Sequence, residues 1–163
     1  MRDKLFRTNV FISHDWLSWP DRSALYYLRD CLMSLGANCF LDDRSLVELT
    51  DLQMDLAERV AGTDIMVCLV SEAYMRKLQS KIPGEWIQAE VKTAFRLKAH
   101  LVPIQVDNIN PRRLRKEERA QYEFHLGHVL SSLNIETKKP QTKQDKEDIM
   151  TLARTVLEMP RKV

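Results

Sequence analysis

Glycine is scarce: four occur in 163 residues, at Gly36, Gly62, Gly84 and Gly127. None follows the first apolar run, which passes instead into Ser13-His14-Asp15-Trp16-Leu17. A glycine-rich loop that lets backbone approach a pyrophosphate is therefore excluded. Cysteine is as sparse, and Cys31, Cys39 and Cys68 show no Cys-x-x-Cys spacing, which argues against a zinc site or a disulfide framework. Each lies in an apolar element and is expected to be a buried free thiol. No apolar run approaches the roughly 20 residues that cross a bilayer, and the start Met1-Arg2-Asp3-Lys4-Leu5-Phe6 lacks the apolar stretch of a signal peptide. The expectation is a soluble cytoplasmic protein without a membrane segment.

Charge of neither sign dominates. Twenty-five Lys and Arg face 23 Asp and Glu, for a net charge of +2. The basic cluster Arg112-Arg113-Leu114-Arg115-Lys116 runs at once into Glu117-Glu118, the pattern of a solvated helix face rather than a phosphate-binding patch. No nucleic-acid partner is expected. A content of 44% hydrophobic and 29% charged residues fits one globular domain over 1–163 with an ordinary core.

Four short apolar runs read as strands, at Asn9–Ser13, Asn38–Asp42, Asp64–Ser71 and His100–Asp107. Helical patterns lie between them. The first spans about 21–35, with Leu25, Leu28, Leu32 and Leu35 on one stripe and Gly36 as its stop. The second starts near Thr50 or Asp51, buries Leu52, Leu56 and Val60, and stops at Gly62. A further helix over 86–98 places Ile87, Val91, Ala94 and Phe95 at helical spacing, with Glu90 and Trp86 at the boundary between core and solvent. A short fifth strand is expected within Tyr122–Val129, and 137–146 as an exposed connection. The last helix starts near Asp145, buries Ile149, Leu152, Val156 and Leu157, and packs on the domain over 147–158. This alternation predicts an α/β, flavodoxin-like architecture, a mostly parallel sheet of four to five strands with helices on both faces.

Other chemistries of such folds fail on position. A phosphoryl-accepting receiver needs an aspartate ending the third strand, where Ser71 stands, and the paired acids Asp42 and Asp43 follow the second. A serine hydrolase needs a Gly-x-Ser-x-Gly turn, which is absent, and His14, His100, His125 and His128 have no nucleophile placed by spacing. What remains is Trp86-x-x-x-Glu90 just downstream of the apolar run 64–71. An aromatic and a carboxylate four residues apart share one helix face, near the carboxyl edge of the sheet, where open α/β folds bind ligands.

Five segments in order carry a family resemblance. They are Val10-Phe11-Ile12-Ser13, Leu35 through Asp42, Val67 through Tyr74, Trp86-x-x-x-Glu90 and Leu101-Val102-Pro103-Ile104. Over about residues 8 to 135 the chain resembles the Toll/interleukin-1 receptor, or TIR, domain. Some TIR domains bind one another as signalling scaffolds, whereas others cleave NAD. In the cleaving members a glutamate on the helix after the third strand is catalytic and an aromatic four residues earlier stacks on the substrate. By that resemblance Glu90 is the catalytic residue and Trp86 a substrate-binding one; Ser13, His14, Asp15 and Ser71 are expected to line the cleft from their positions at the strand ends. Glu85 is a rival carboxylate ranked second, and Glu72 is expected to cap the helix after Ser71.

Two departures stand out. Leu49 occupies the loop after the second strand where family members commonly carry glycine, and that loop, with Asp43 and Leu46, is the expected contact between TIR domains. Asp15-Trp16 stand where some animal cleaving members have arginines, which leaves Arg44 as the candidate for phosphate contact. The resemblance thus implies an NAD hydrolase that needs no cofactor or metal, takes NAD as substrate and is activated by self-association. The alternative is a non-catalytic TIR interaction module in innate immune or cell-death signalling. A remoter one is a nucleoside-processing transferase of related fold.

Overall fold

The computed structural model describes residues 7–15, 18–19, 21–41, 60–78, 86–106 and 134–158. Its strands are β1 (Asn9–His14), β2 (Asn38–Leu41), β3 (Ile65–Val70), β4 (His100–Val106) and β5 (Asn134–Ile135). Its helices are α1 (Ser23–Ser34), α2 (Glu72–Leu78), α3 (Trp86–Arg96) and α4 (Lys143–Glu158). The strands form one sheet in the order β2-β1-β3-β4-β5, every pair parallel.

Strand alternation sorts the core into two halves. From β1, β3 and β4, Val10, Ile12, Ile65, Val67, Leu69, Val102 and Ile104 join Leu25, Leu28 and Leu32 of α1 and Ile149, Leu152 and Val156 of α4. The intervening residues Phe11, Met66, Cys68 and Val70 join Tyr74, Met75 and Leu78 of α2 and Ile87, Val91 and Ala94 of α3. All six residues of β3 are buried, which is why that strand reads as a continuous apolar run rather than an alternating one. The sheet is thus covered on both faces by helices, as the alternation predicts.

Several boundaries differ from expectation. Helix α1 closes at Ser34, so Leu35 lies past its stripe and is 37% exposed. Gly36 follows with φ +99°, and the Ala37 N–H returns to the Leu32 carbonyl at 3.1 Å, the closure that a left-handed residue permits. A Cβ at Gly36 would meet nothing within 4 Å, so Gly36→Ala should cost only the backbone strain, about 1–2 kcal/mol, read as a lower urea midpoint with an unchanged slope. Phe95 is 39% exposed rather than core, because one more residue of rotation carries it past the buried arc that Ile87, Val91 and Ala94 define. The fifth strand is the two-residue Asn134–Ile135, and the expected position, 122–129, lies outside the described residues. Helix α4 begins at Lys143, which shortens the exposed connection. Thr142 and Asp145 cap each other there, the Thr142 N–H donating to the Asp145 carboxylate at 3.1 Å and the Asp145 N–H to the Thr142 hydroxyl at 3.0 Å. Of the expected helix over 50–62, only residues from Val60 onward are described, and Val60 is buried as expected.

Candidate functional site

The sheet order reverses between β1 and β3, and the carboxyl ends of those two strands are where such folds open a crevice. Alternation from Phe11 turns Ser13 toward α2 and α3, and it stands beside Cys68 in the ladder. On α3, Glu90 lies one turn after Ile87 and one before Ala94, which draws it into the buried arc. The boundary position expected for Glu90 is therefore corrected: it has 0% exposure. The Ser13 hydroxyl donates to Glu90 Oε2 at 2.5 Å, and the Tyr74 hydroxyl lies 2.9 Å from Ser13 Oγ. Three polar groups from β1, α2 and α3 thus converge in one dry place. Burial, the charge of Glu90 and the neighbouring Cys68 hold the Tyr74 phenol well above its ordinary value, so it stays protonated. Burial pushes the Cys68 thiol up to about 12, which leaves it without thiolate reactivity.

A second polar cluster stands beside the first. Ser71 caps α2: its Oγ accepts from the Tyr74 N–H at 3.1 Å, the N-cap to N3 bond. Ser71 therefore takes the capping role expected of Glu72, which sits in the first turn of α2, where its charge still favours the dipole. Ser71 Oγ also lies 2.8 Å from Ser18 Oγ, and Ser18 donates to Asp15 Oδ2 at 2.6 Å. The buried Asp15 carboxylate is ion-paired with Lys77 of α2, whose side chain is one-third exposed. That bond ties the end of β1 to the helix that follows β3.

Burial pushes the Asp15 carboxyl up, but hydrogen bonds from Lys77 and Ser18 and the charge of Lys77 outweigh it, leaving Asp15 below the ordinary 3.8. A carboxyl that binds its proton less readily when folded contributes stability above its unfolded value and loses it as pH falls through the folded one. Asp15→Asn should therefore lower stability by about 1–3 kcal/mol at pH 7, and wild type and variant should converge below the folded value. Parallel urea titrations between neutral and acidic pH check it; a gap that persists undiminished in acid would refute the assignment.

The structure thus brings together Ser13, Asp15, Ser71 and Glu90. His14 is buried too, but strand alternation turns it to the opposite face of the sheet from Ser13. Trp86 is the first residue of α3, one turn ahead of Glu90. Arg44, Asp43, Leu46, Leu49 and Glu85 lie outside the described residues. Tyr74, Lys77 and Ser18 belong to the site without having been assigned a role from sequence. Ser71-x-x-Tyr74 was the available signal for one of them, because a serine that caps a helix fixes where its third residue points.

An open hollow of about 180 Å³ lies elsewhere, between β5 and the start of α4, lined in part by Ala24, Ile135, Lys138, Lys139, Asp145 and Ile149. Its charges are mixed, with Lys138 paired to Glu136 at 2.8 Å, and it gathers no set of groups suited to catalysis. Among the described residues no group of His, Cys, Asp and Glu is arranged to hold a metal ion, and no described helix is long and apolar enough to cross a membrane.

The sheet order and the two-sided core define a flavodoxin-like α/β protein. The TIR domain family model matches residues 10–128, and the chain belongs to that family. Among solved structures it is similar to the TIR domains of the activated Roq1 resistosome that directly recognizes the pathogen effector XopQ, at TM-score 0.56 and 15% identity, covering 91% of this chain and 99% of that one. It is also similar to the CMP N-glycosidase BcmB of Clostridium botulinum, at TM-score 0.51 and 11% identity over 88% of this chain and 95% of the other. A diflavin flavoprotein A3 from Nostoc sp. gives TM-score 0.51 and 15% identity over 93% and 94%. These likenesses show a shared fold. No curated protein matches the chain.

Proposed function

We propose that this TIR domain is a cytoplasmic NAD hydrolase that cleaves the nicotinamide–ribose bond, with Glu90 as the catalytic residue. The observation that carries the reading is a carboxylate buried at the crevice between β1 and β3 and oriented by a serine at 2.5 Å. The nicotinamide leaving group is already cationic at its ring nitrogen and needs no proton to depart. One carboxylate therefore suffices, in contrast to the carboxyl pair that most glycosidases use. Glu90 stabilises the positive charge that develops on the ribose, an interaction stronger in the transition state than in the bound substrate. Trp86 offers a stacking surface for a planar ring, worth about 1–3 kcal/mol. Lys77, held at the crevice by Asp15, joins Arg44 as a cation for the pyrophosphate. Glu90 is closed off in this structure, so substrate reaches it only when its covering side chains part. Self-association, as between TIR domains, is the event that opens and completes the site.

Purified protein incubated with NAD should release nicotinamide, at a rate that rises more steeply than linearly with protein concentration. CMP and free nucleosides, run alongside, should be left intact; their cleavage in place of NAD would assign a nucleoside-processing enzyme. A second reading, a non-catalytic TIR interaction module, is favoured by the same complete burial of Glu90, which a purely structural carboxylate would also show. In that case NAD stays intact at every protein concentration, and charge reversal at Asp43 or Arg44 weakens binding to a partner TIR domain.

A further inference from the structure

The Ser13 hydroxyl has one proton, and it is committed to Glu90 Oε2. The 2.9 Å contact between Ser13 and Tyr74 must then use the phenol proton, so Tyr74 donates to Ser13 as Ser13 donates to Glu90. We infer that Tyr74 and Ser13 form a directional relay that positions the Glu90 carboxylate, making both of them positioning residues for the reaction at that carboxylate. The inference rests on the reading of Glu90 as the catalytic residue.

Three features of the fold make the relay rigid. Tyr74, Ser13 and Glu90 are at most 1% exposed, so water does not compete for the bonds. Tyr74 is fixed at its backbone and by burial: its N–H is bound to the Ser71 cap, and the residue is wholly buried in the core cluster that seats α2 and α3. Ser13 is held by the ladder between β1 and β3. In such a chain each bond polarises the next, and the bonds strengthen one another. The relay reaches the carboxylate at Oε2, and so fixes the orientation of that oxygen toward β1.

The test is a cycle of Tyr74→Phe, Ser13→Ala and the double variant in the full chain, read in two ways. Phenylalanine keeps the ring and alanine nearly the volume, so the packing survives. Steady-state NAD turnover should show kcat about tenfold lower in Tyr74→Phe, since a hydrogen bond feeding a charged group is lost. KM should change less than twofold. The loss should be larger in Ser13→Ala, and the double variant should match Ser13→Ala alone, because the phenol acts only through the serine. Ser13→Thr, which restores a hydroxyl, should recover most of the rate. The second readout is the ¹³C carboxyl resonance of Glu90 at neutral pH, identified by its disappearance in Glu90→Gln. It should shift in Tyr74→Phe and shift no further when Tyr74→Phe is added to Ser13→Ala. An unmoved resonance, or independent effects that simply add, would overturn the relay. A resonance that moves as expected in a protein that leaves NAD intact would uphold the relay and overturn the proposed reaction instead.

Discussion

Glu90→Gln should lower nicotinamide release from NAD by about a hundred- to a thousandfold while leaving the fold intact. Glutamine keeps the length and volume of the side chain, and its amide oxygen still accepts from Ser13, so little repacking is needed. What disappears is the negative charge. In a site this dry, a charge aimed at a developing cation is worth far more than it would be in water, and the expected loss corresponds to about 3–4 kcal/mol of barrier at 1.36 kcal/mol per decade. Stability should move the other way or not at all, because a buried amide is less costly to desolvate than a buried carboxylate. Thermal melts and nicotinamide assays on the same preparations separate the two effects. Equal rates in wild type and variant would remove Glu90 from the mechanism.

The largest loss of stability is expected from Phe11→Ala. Phe11 is wholly buried at the centre of β1, its ring stacked on Phe40 with centroids 5.4 Å apart and packed in the cluster that seats α2 and α3. Alanine removes most of that apolar surface and leaves a cavity that a sheet and two helices cannot easily collapse, at a cost of about 3–5 kcal/mol. Against a total that is typically about 5–15 kcal/mol for a domain, that is a large share. Urea denaturation measures it, and a loss below about 1 kcal/mol would mean that this half of the core closes over the gap. The variant also bears on the site, because Phe11 shares a strand face with Ser13, and α3 carries Glu90.

The strands and the long helices were legible from length and period: the short unbroken apolar run within 64–71, bounded by polar residues, reads as a strand buried on both faces, and α1 announced itself with Leu25, Leu28 and Leu32. The burial of Glu90 was not legible, although the pattern held it. At about 100° per residue, Glu90 falls about 60° to one side of Ile87 and Val91 about 40° to the other, and which side faces the protein is fixed by α2 and β1, not by α3. Hydropathy reads a carboxylate as surface; a partner such as Ser13, 77 positions away, helps to make its burial tolerable. The same holds for the pair of Asp15 with Lys77, 62 positions apart. Asn134–Ile135 escaped because two residues carry no period at all.

That brevity has a consequence for how copies of the chain can meet. Among the described residues the sheet ends in β2 on one side and β5 on the other, of four and two residues, while the three longer strands lie between them. An exposed strand edge is a template for another chain, and the length of the template limits how firmly a stranger can be zipped onto it. Edges this short offer a second sheet only a few rungs. Along the described edges, a neighbouring copy would thus find little backbone to zip onto, and continuous β-structure between copies is disfavoured there.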